Sequence, residues 1–468
     1  MNKMNKNQKF IIKGLAGEKI LKGKVEINGA KNSALKAMAG SILFDGEVVL
    51  NNIPDTEDIH TMKDILIDLG AKVEWHNNDT KSKILKIDSR GISKTDIRAD
   101  FAKTMRASVV LTGPLLARFG KVSFPAPGGC VIGARPIDLF IEGYKKMGAT
   151  VTLSDDLYFI EAPKGLVGTQ ILFNKISVGG TETLMMAATL SSGTTKLENC
   201  AMEPEIGNIA EWLNENGADI KGIGSPVLII NGSSGKLFSN KKDYTAIPDR
   251  IEAGSYLILG ALCAENLSIE NCRPDHIGAV IEMLKGSGVN ISIIDSSGAN
   301  KTIVVTNDKN KPDFRFKAFN VETKVFPGFP TDLQSPIVVF LTQSEGESSV
   351  FETIFEGRFK YIEDLVKMGA DITKIDQDKI LIKGPTPLRE LSSVLESGDL
   401  RDKKSAGDTQ SLINNELSAH DIRAGFAIVL ACLLAKGKFV VNNIHLIDRG
   451  YESLELRLRA LGADIVRE

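Results

Sequence analysis

Six glycines set the plan of this chain. Each sits in the same short phrase: the end of a helical segment, a glycine, a small or apolar residue, then an apolar strand. The copies are Leu69-Gly70-Ala71-Lys72-Val73, Met147-Gly148-Ala149-Thr150-Val151, Asn216-Gly217-Ala218-Asp219-Ile220, Ser287-Gly288-Val289-Asn290-Ile291, Met368-Gly369-Ala370-Asp371-Ile372 and Leu461-Gly462-Ala463-Asp464-Ile465. A residue that closes a helix in the left-handed conformation is best a glycine, which has no Cβ to clash. Successive glycines are 78, 69, 71, 81 and 93 residues apart.

A second phrase precedes each copy: an apolar helix, a turn bearing Gly or Asn, an alternating strand and a loop. The helices are expected to begin near Asn32, Met105, Thr181, Arg250, Asp332 and Asp421. They are apolar almost all round, as in 34–43, 107–117 and 424–435, and such helices are buried, with sheets packed about them. The spacing therefore predicts an α/β fold of six repeated units, each too long for a common solenoid repeat. Six units can make one, two or three domains. The stretch 231–243 is small, polar and rich in breakers, and reads as a linker between units three and four. It divides the chain into two lobes of three units, with a substrate expected in the cleft between them. The leading strand within 9–27 can pair with either lobe. The longest interval contains 389–416, read as an inserted, mobile surface loop without chemistry.

Composition narrows the function classes. The 468 residues give room for two or three domains, and a net charge of −2 argues against a general nucleic-acid footprint. Any anion site must be a local cluster of cations. The five cysteines include no Cys-x-x-Cys pair, and no two of the five histidines have metal-ligand spacing, so no metal is expected. An odd cysteine count points to a reducing compartment. The first residues lack the apolar core of a signal peptide, and the longest apolar run, 426–435, falls short of a span of about 20 residues. The expectation is a soluble cytoplasmic protein with no nucleic-acid or membrane partner, a monomer or weak homo-oligomer.

Chemistry is suggested in three places. Residues 125–138, Pro-Ala-Pro-Gly-Gly-Cys-Val-Ile-Gly-Ala-Arg-Pro-Ile-Asp, hold too many breakers for a regular helix or central strand. They read as a shaped loop in which Arg135 favours the thiolate of Cys130; the alternative is a glycine-rich surface turn that carries a cysteine. The entries to the buried helices carry Lys31, Asn32, Arg106, Lys175 ahead of Ser177 and Val178, Asp249, Arg250, Asp332, Asp421 and Arg423. The loops after the following strands carry Asp55, Cys130, Arg135, Glu203, Glu205, Asp275, Arg358, Asp448 and Arg449. As a set, Lys31, Arg106, Arg135, Arg358, Arg423 and Arg449 would line a strongly positive site for phosphate or carboxylate. Taken singly, each is more often a solvated or ion-paired side chain. Asp332 follows a proline turn, which suits a helix N-cap as well as a general base.

Five motifs, Gly29-Ala30-Lys31-Asn32, Thr104-Met105-Arg106-Ala107-Ser108, Pro127-Gly128-Gly129-Cys130-Val131-Ile132-Gly133-Ala134-Arg135-Pro136, Phe329-Pro330-Thr331-Asp332 and Asp448-Arg449-Gly450-Tyr451, resemble the UDP-N-acetylglucosamine 1-carboxyvinyltransferases, a family of enolpyruvyl transferases. The likeness runs in order from about residue 10 to the C-terminus. The related 5-enolpyruvylshikimate-3-phosphate synthases share the fold without this cysteine loop. The resemblance implies a two-lobed inside-out α/β barrel with three repeats per lobe around buried helices, the first lobe 31–244 and the second 1–30 with 245–468. It implies transfer of the enolpyruvyl group of phosphoenolpyruvate to the 3-hydroxyl of UDP-N-acetylglucosamine without a cofactor. That reaction opens peptidoglycan precursor synthesis and is the target of fosfomycin. By the same resemblance Cys130, Asp332, Lys31 and Arg449 are catalytic, with Cys130 the proton donor that can form an adduct and Asp332 the base. Lys31, Asn32, Arg135, Asp421, Arg423 and Arg449 contact phosphoenolpyruvate. Arg106, Arg135, Pro136, Ile137, Asp138, Leu139, Lys175, Ile176, Ser177, Val178, Asp332 and Ile354 contact the UDP-sugar. The departures are Gly425 where the family often has serine, Phe140 in place of a frequent histidine, and the insertion before Asp421.

Overall fold

The structure, a computed structural model, describes residues 7–79, 82–126, 137–295, 298–307, 315–391 and 415–468. They divide into two units, one of 28–126 and 137–247, the other of 7–27 and 248–468. The six recurring glycines all adopt the left-handed conformation, with φ between 91° and 112°. Each closes a helix and hands the chain to a strand, as the repeated phrase demands.

The first unit contains the buried helices α1 (Lys31–Gly40), α2 (Thr112–Phe119) and α3 (Val178–Ala188). The second contains α4 (Arg250–Cys263), α5 (Gln334–Thr342) and α6 (Ile422–Leu434). Every residue of α5 is buried, and so is every residue of α4 and α6 after the first. Among the described residues there are six sheets, three per unit, so the expected α/β class with three repeats per unit around buried helices is the one observed.

One wiring rule serves all six. The strand after the buried helix pairs antiparallel with the last strand of its repeat. That last strand pairs antiparallel with the strand after the glycine. In the first repeat Val48 therefore faces Ile87, and Ile87 faces Val73. The sixth repeat follows the rule with a borrowed strand. Lys438–Asn442 and Asp464–Arg467 both pair antiparallel with Phe10–Lys13, so Phe10 lies between Val441 and Arg467. Leu21–Glu26 runs parallel to Ala264–Cys272. The N-terminal segment thus belongs to the unit that holds 248–468.

Two buried helices begin later than their sequence suggests. The helix expected from Met105 opens with 3-10 turns over Arg106–Leu111 before α2, and the one expected from Asp332 opens with Thr331–Leu333 before α5. Pro114 and Pro336 explain both. Each is the third residue of its α-helix, where a missing N–H costs nothing, and each forbids regular α-helical bonding upstream.

The stretch 231–243 is not a free connector. Phe238 is buried, its N–H donates to the Leu43 carbonyl at 2.9 Å, and its ring meets Phe44 edge-on. Tyr244–Thr245 then adds a parallel strand to Glu47–Asn51, and Ala30 N–H donates to the Ile247 carbonyl at 2.7 Å. These bonds draw 28–30 and 245–247 into the first unit. Of the insertion read over 389–416, residues 392–414 lie outside the described residues. Its flanks are tied together, Leu391 N–H donating to Asn415 Oδ1 at 2.9 Å.

Candidate active site

Cations at the N-terminal turns of buried helices are the first clue to function. The helix dipole opposes a positive charge there and favours an anion. Lys31 is nevertheless the first residue of α1, Arg250 the first of α4 and Arg423 the second of α6. Lys31 is buried, and its Nζ donates to Asp58 Oδ2 at 2.7 Å. Asp58, itself buried, comes from the first turn of the helix Glu57–Leu69. Asn32, beside Lys31, is partly exposed.

In the second unit the site residues form a connected cluster. Asp332 is gripped by two buried arginines: Arg358 Nη2 donates to Oδ1 at 2.9 Å, and Arg423 Nε lies 3.4 Å from Oδ2. The N-cap positions of the 3-10 turn and of α5, Pro330 and Leu333, make no side-chain cap bond. Its side chain keeps 28 % of its exposure, while Arg358 keeps 3 % and Arg423 5 %. The carboxylate is thus the accessible member of the triad, which a base must be. Burial works against the Arg423 charge, and Tyr451, Asp332 and Asp249 outweigh it, so the guanidinium is held above its usual value. Its plane lies over the Tyr451 ring, 5.1 Å from the centroid. Arg358 is likewise raised, with Asp332, Asp421 and Glu352 overcoming burial.

The other aspartates at the helix entries are caps. Asp421 Oδ1 accepts from the amides of Arg423 (2.7 Å) and Ala424 (2.9 Å), and Asp249 Oδ1 from those of Ile251 (2.8 Å) and Glu252 (3.0 Å). Asp448 binds Arg467 through both oxygens, at 2.7 and 2.9 Å. Arg449, the other member of that adjacent pair, is the C-cap of His445–Asp448 and partly exposed. Asp275 pairs with Arg273 at 2.9 Å on the surface.

Of the other sequence-predicted contacts, Arg106 starts the 3-10 turns before α2. Ile137 is buried, Asp138 exposed and Leu139 partly exposed, where the helix Asp138–Lys146 begins. Lys175 is exposed, Ile176 and Val178 partly so, and Ser177 caps α3 by accepting from Gly180 N–H at 3.1 Å. Ile354 donates its N–H to Glu352 Oε1 at 2.9 Å. Cys130, Arg135 and Pro136 lie outside the described residues. The described cysteines, Cys200, Cys263, Cys272 and Cys432, are buried, and burial pushes their thiols up, to about 11 for Cys200 and about 12 for Cys263 and Cys272. Such thiols are inert.

Two participants, Asp58 and Glu352, and one pairing, Arg358 with Asp332, escaped the sequence reading. Asp58 is one acid among several in an ordinary acidic first turn. Arg358 stood out as a cation but not as the partner of Asp332, 26 residues away. Glu352 directly follows the strand Ser344–Phe351 and stands on no motif. Among the described residues no group of His, Cys, Asp or Glu could hold a metal, and no helix is long and apolar enough to cross a membrane.

The family described as EPSP synthase (3-phosphoshikimate 1-carboxyvinyltransferase) matches residues 15–458. The UDP-N-acetylglucosamine 1-carboxyvinyltransferase of Koribacter versatilis is 41 % identical over 459 residues, 98 % of this chain and 96 % of that protein. The enzyme of that name from Helicobacter pylori is 39 % identical over 453 residues, 97 % and 98 % of the two chains. In fold, the chain is similar to the enolpyruvyl transferase NikO from Streptomyces tendae (TM-score 0.82, 22 % identity, 98 % of this chain and 99 % of that one). It is also similar to the EPSP synthase of Acinetobacter baumannii (TM-score 0.67, 18 % identity, 98 % and 100 %).

Proposed function

Because this chain belongs to the enolpyruvyl transferase family of EPSP synthase, among its UDP-N-acetylglucosamine 1-carboxyvinyltransferases, we propose that it moves the enolpyruvyl group of phosphoenolpyruvate to the 3-hydroxyl of UDP-N-acetylglucosamine, releasing phosphate. The observation that carries this reading is Asp332, a half-open carboxylate between two buried arginines. A binding protein has no use for a base placed in this way.

We assign the roles as follows. Lys31, Asn32, Arg135, Arg423 and Arg449 hold the phosphate and carboxylate of phosphoenolpyruvate, with Asp421 fixing Arg423 through the cap. Cys130 gives a proton to the methylene carbon, and the central carbon becomes cation-like. The sugar 3-hydroxyl attacks that carbon while Asp332 takes the hydroxyl proton. The resulting tetrahedral ketal loses phosphate and one methyl proton to give the enolpyruvyl ether. Arg106, the segment Arg135, Pro136, Ile137, Asp138 and Leu139, the segment Lys175, Ile176, Ser177 and Val178, and Ile354 hold the UDP-sugar. Donors fixed around developing charge supply most of the acceleration, and each acid–base group contributes about 10²–10⁴-fold. No step requires a metal or organic cofactor. The reading carries with it a cytoplasmic location, a place at the entry to peptidoglycan synthesis and hence a part in cell shape and division, and a monomer or weak homo-oligomer.

The test is phosphate release from phosphoenolpyruvate, with and without UDP-N-acetylglucosamine, and separately with shikimate 3-phosphate. Release that depends on the UDP-sugar supports the proposal. Release with shikimate 3-phosphate alone, or with neither acceptor, refutes it.

A further inference from the structure

Glu352 is almost fully buried, at 3 % exposure, and stands on none of the sequence motifs. Its Oε1 accepts from Thr323 Oγ1 (2.9 Å) and from the amides of Ile354 (2.9 Å) and Phe355 (3.0 Å). Its Oε2 accepts from Thr331 Oγ1 at 2.8 Å. The same Thr331 oxygen accepts from Arg358 Nη1 at 2.6 Å, while Arg358 Nη2 donates to Asp332. One buried carboxylate thus orients a hydroxyl, the hydroxyl orients a guanidinium, and the guanidinium orients the carboxylate assigned as base.

We propose that Glu352 is a positioning residue for Asp332, setting both its direction and its strength as a base. This rests on the assignment of Asp332 as base. The physical need is plain. A carboxylate between two arginines is held ionised and is a weak proton acceptor. The charged and titratable groups that act on the two arginines are Asp332, Asp421 and Glu352 on Arg358, with Tyr361 beside it, and Tyr451, Asp332 and Asp249 on Arg423 of α6. Glu352 offsets the Arg358 charge from the far side of Thr331, so Asp332 keeps basicity that two unopposed guanidiniums would remove. Because it also takes the Ile354 and Phe355 amides, one group registers the base against the backbone that bears a candidate UDP-sugar contact.

The experiment is the pH profile of phosphate release from phosphoenolpyruvate with UDP-N-acetylglucosamine for wild type, Glu352→Gln, Thr331→Val, Thr331→Ser and Asp332→Asn. Glu352→Gln is expected to lower kcat by about 10- to 100-fold, to leave both KM values within about twofold, and to move the acidic limb of kcat down by about 1 pH unit. Thr331→Val lowers kcat in the same way, and Thr331→Ser restores it, which separates the hydroxyl from packing even if Glu352→Gln folds poorly. An unmoved acidic limb in Glu352→Gln, or losses confined to KM, overturns the proposal. If Asp332→Asn keeps the wild-type rate and limb, the assignment of the base itself is overturned, an outcome distinct from failure at Glu352.

Discussion

Glu182→Gln keeps a buried shape and removes a proton-binding site, and its effect on stability can be worked from the structure. Glu182 lies on α3, 1 % exposed, with Lys36 Nζ of α1 at 3.3 Å. Burial pushes its carboxyl from 4.5 up to about 7, against the pull of Lys36, and the charges of Glu205 and Glu203 add to the rise. A folded-state value above the unfolded one gives stability that is complete below pH 4.5 and is lost as pH rises through 7. At 1.36 kcal/mol per unit, the wild type loses about 3 kcal/mol from this group between about pH 4.5 and 8. The glutamine variant does not. The assay is urea unfolding at matched ionic strength, followed by tryptophan fluorescence. The chain has two tryptophans, Trp75 and Trp212, both in the first unit, so the signal reports the unit that contains Glu182. The variant should gain on wild type by about 3 kcal/mol across that range, with m unchanged. A difference that stays flat to within about 0.5 kcal/mol would refute the reasoning.

Three further outcomes are expected. Fosfomycin, an epoxide, should inactivate the wild type by alkylating Cys130, as the buried thiols are inert, and Cys130→Asp should resist; equal inactivation of both removes Cys130 as the reactive group. Gly425→Ser, toward the residue the family often has, puts a Cβ 2.6 Å from Ile447 Cγ1 and 3.0 Å from Ala419 Cβ; it should cost about 1–3 kcal/mol in thermal unfolding unless Ile447 moves. His420 is raised above 6.5 chiefly by its bond to Asp364, 2.8 Å away, so the stability it adds is present below pH 6.5 and fades as pH climbs through its folded value. His420→Gln should flatten that dependence by less than about 1 kcal/mol, read as amide exchange in Ile362–Lys367, since His420 is one-third exposed.

Much of the fold is legible because it is written six times. The glycine phrase names a backbone conformation that few other residues tolerate, and the all-round apolar helices announce their burial. What sequence reasoning misjudged depends on contacts far along the chain. The polar run 231–243 looks like a linker until Phe238 is seen against Phe44. Helix starts slip where prolines three residues inside defer the regular bonding. The site divides in the same way. Lys31, Asp332 and Arg423 stand in short motifs and can be read directly. Their partners cannot: Asp58, Glu352 and the Arg358–Asp332 bond follow from packing across 21 to 29 residues, which no local pattern encodes.

The strand Phe10–Lys13 has a temporal consequence. It is made long before its two neighbours in the sheet, 438–442 and 464–467. Lys9 and Glu468 even exchange backbone bonds, at 2.9 and 3.0 Å. During synthesis the early strand must wait, an unpaired edge open to wrong partners, until those two neighbours have left the ribosome. A permuted gene that opens elsewhere and splices residue 468 to residue 9 through a short joint would deliver the three strands together and shorten that exposure.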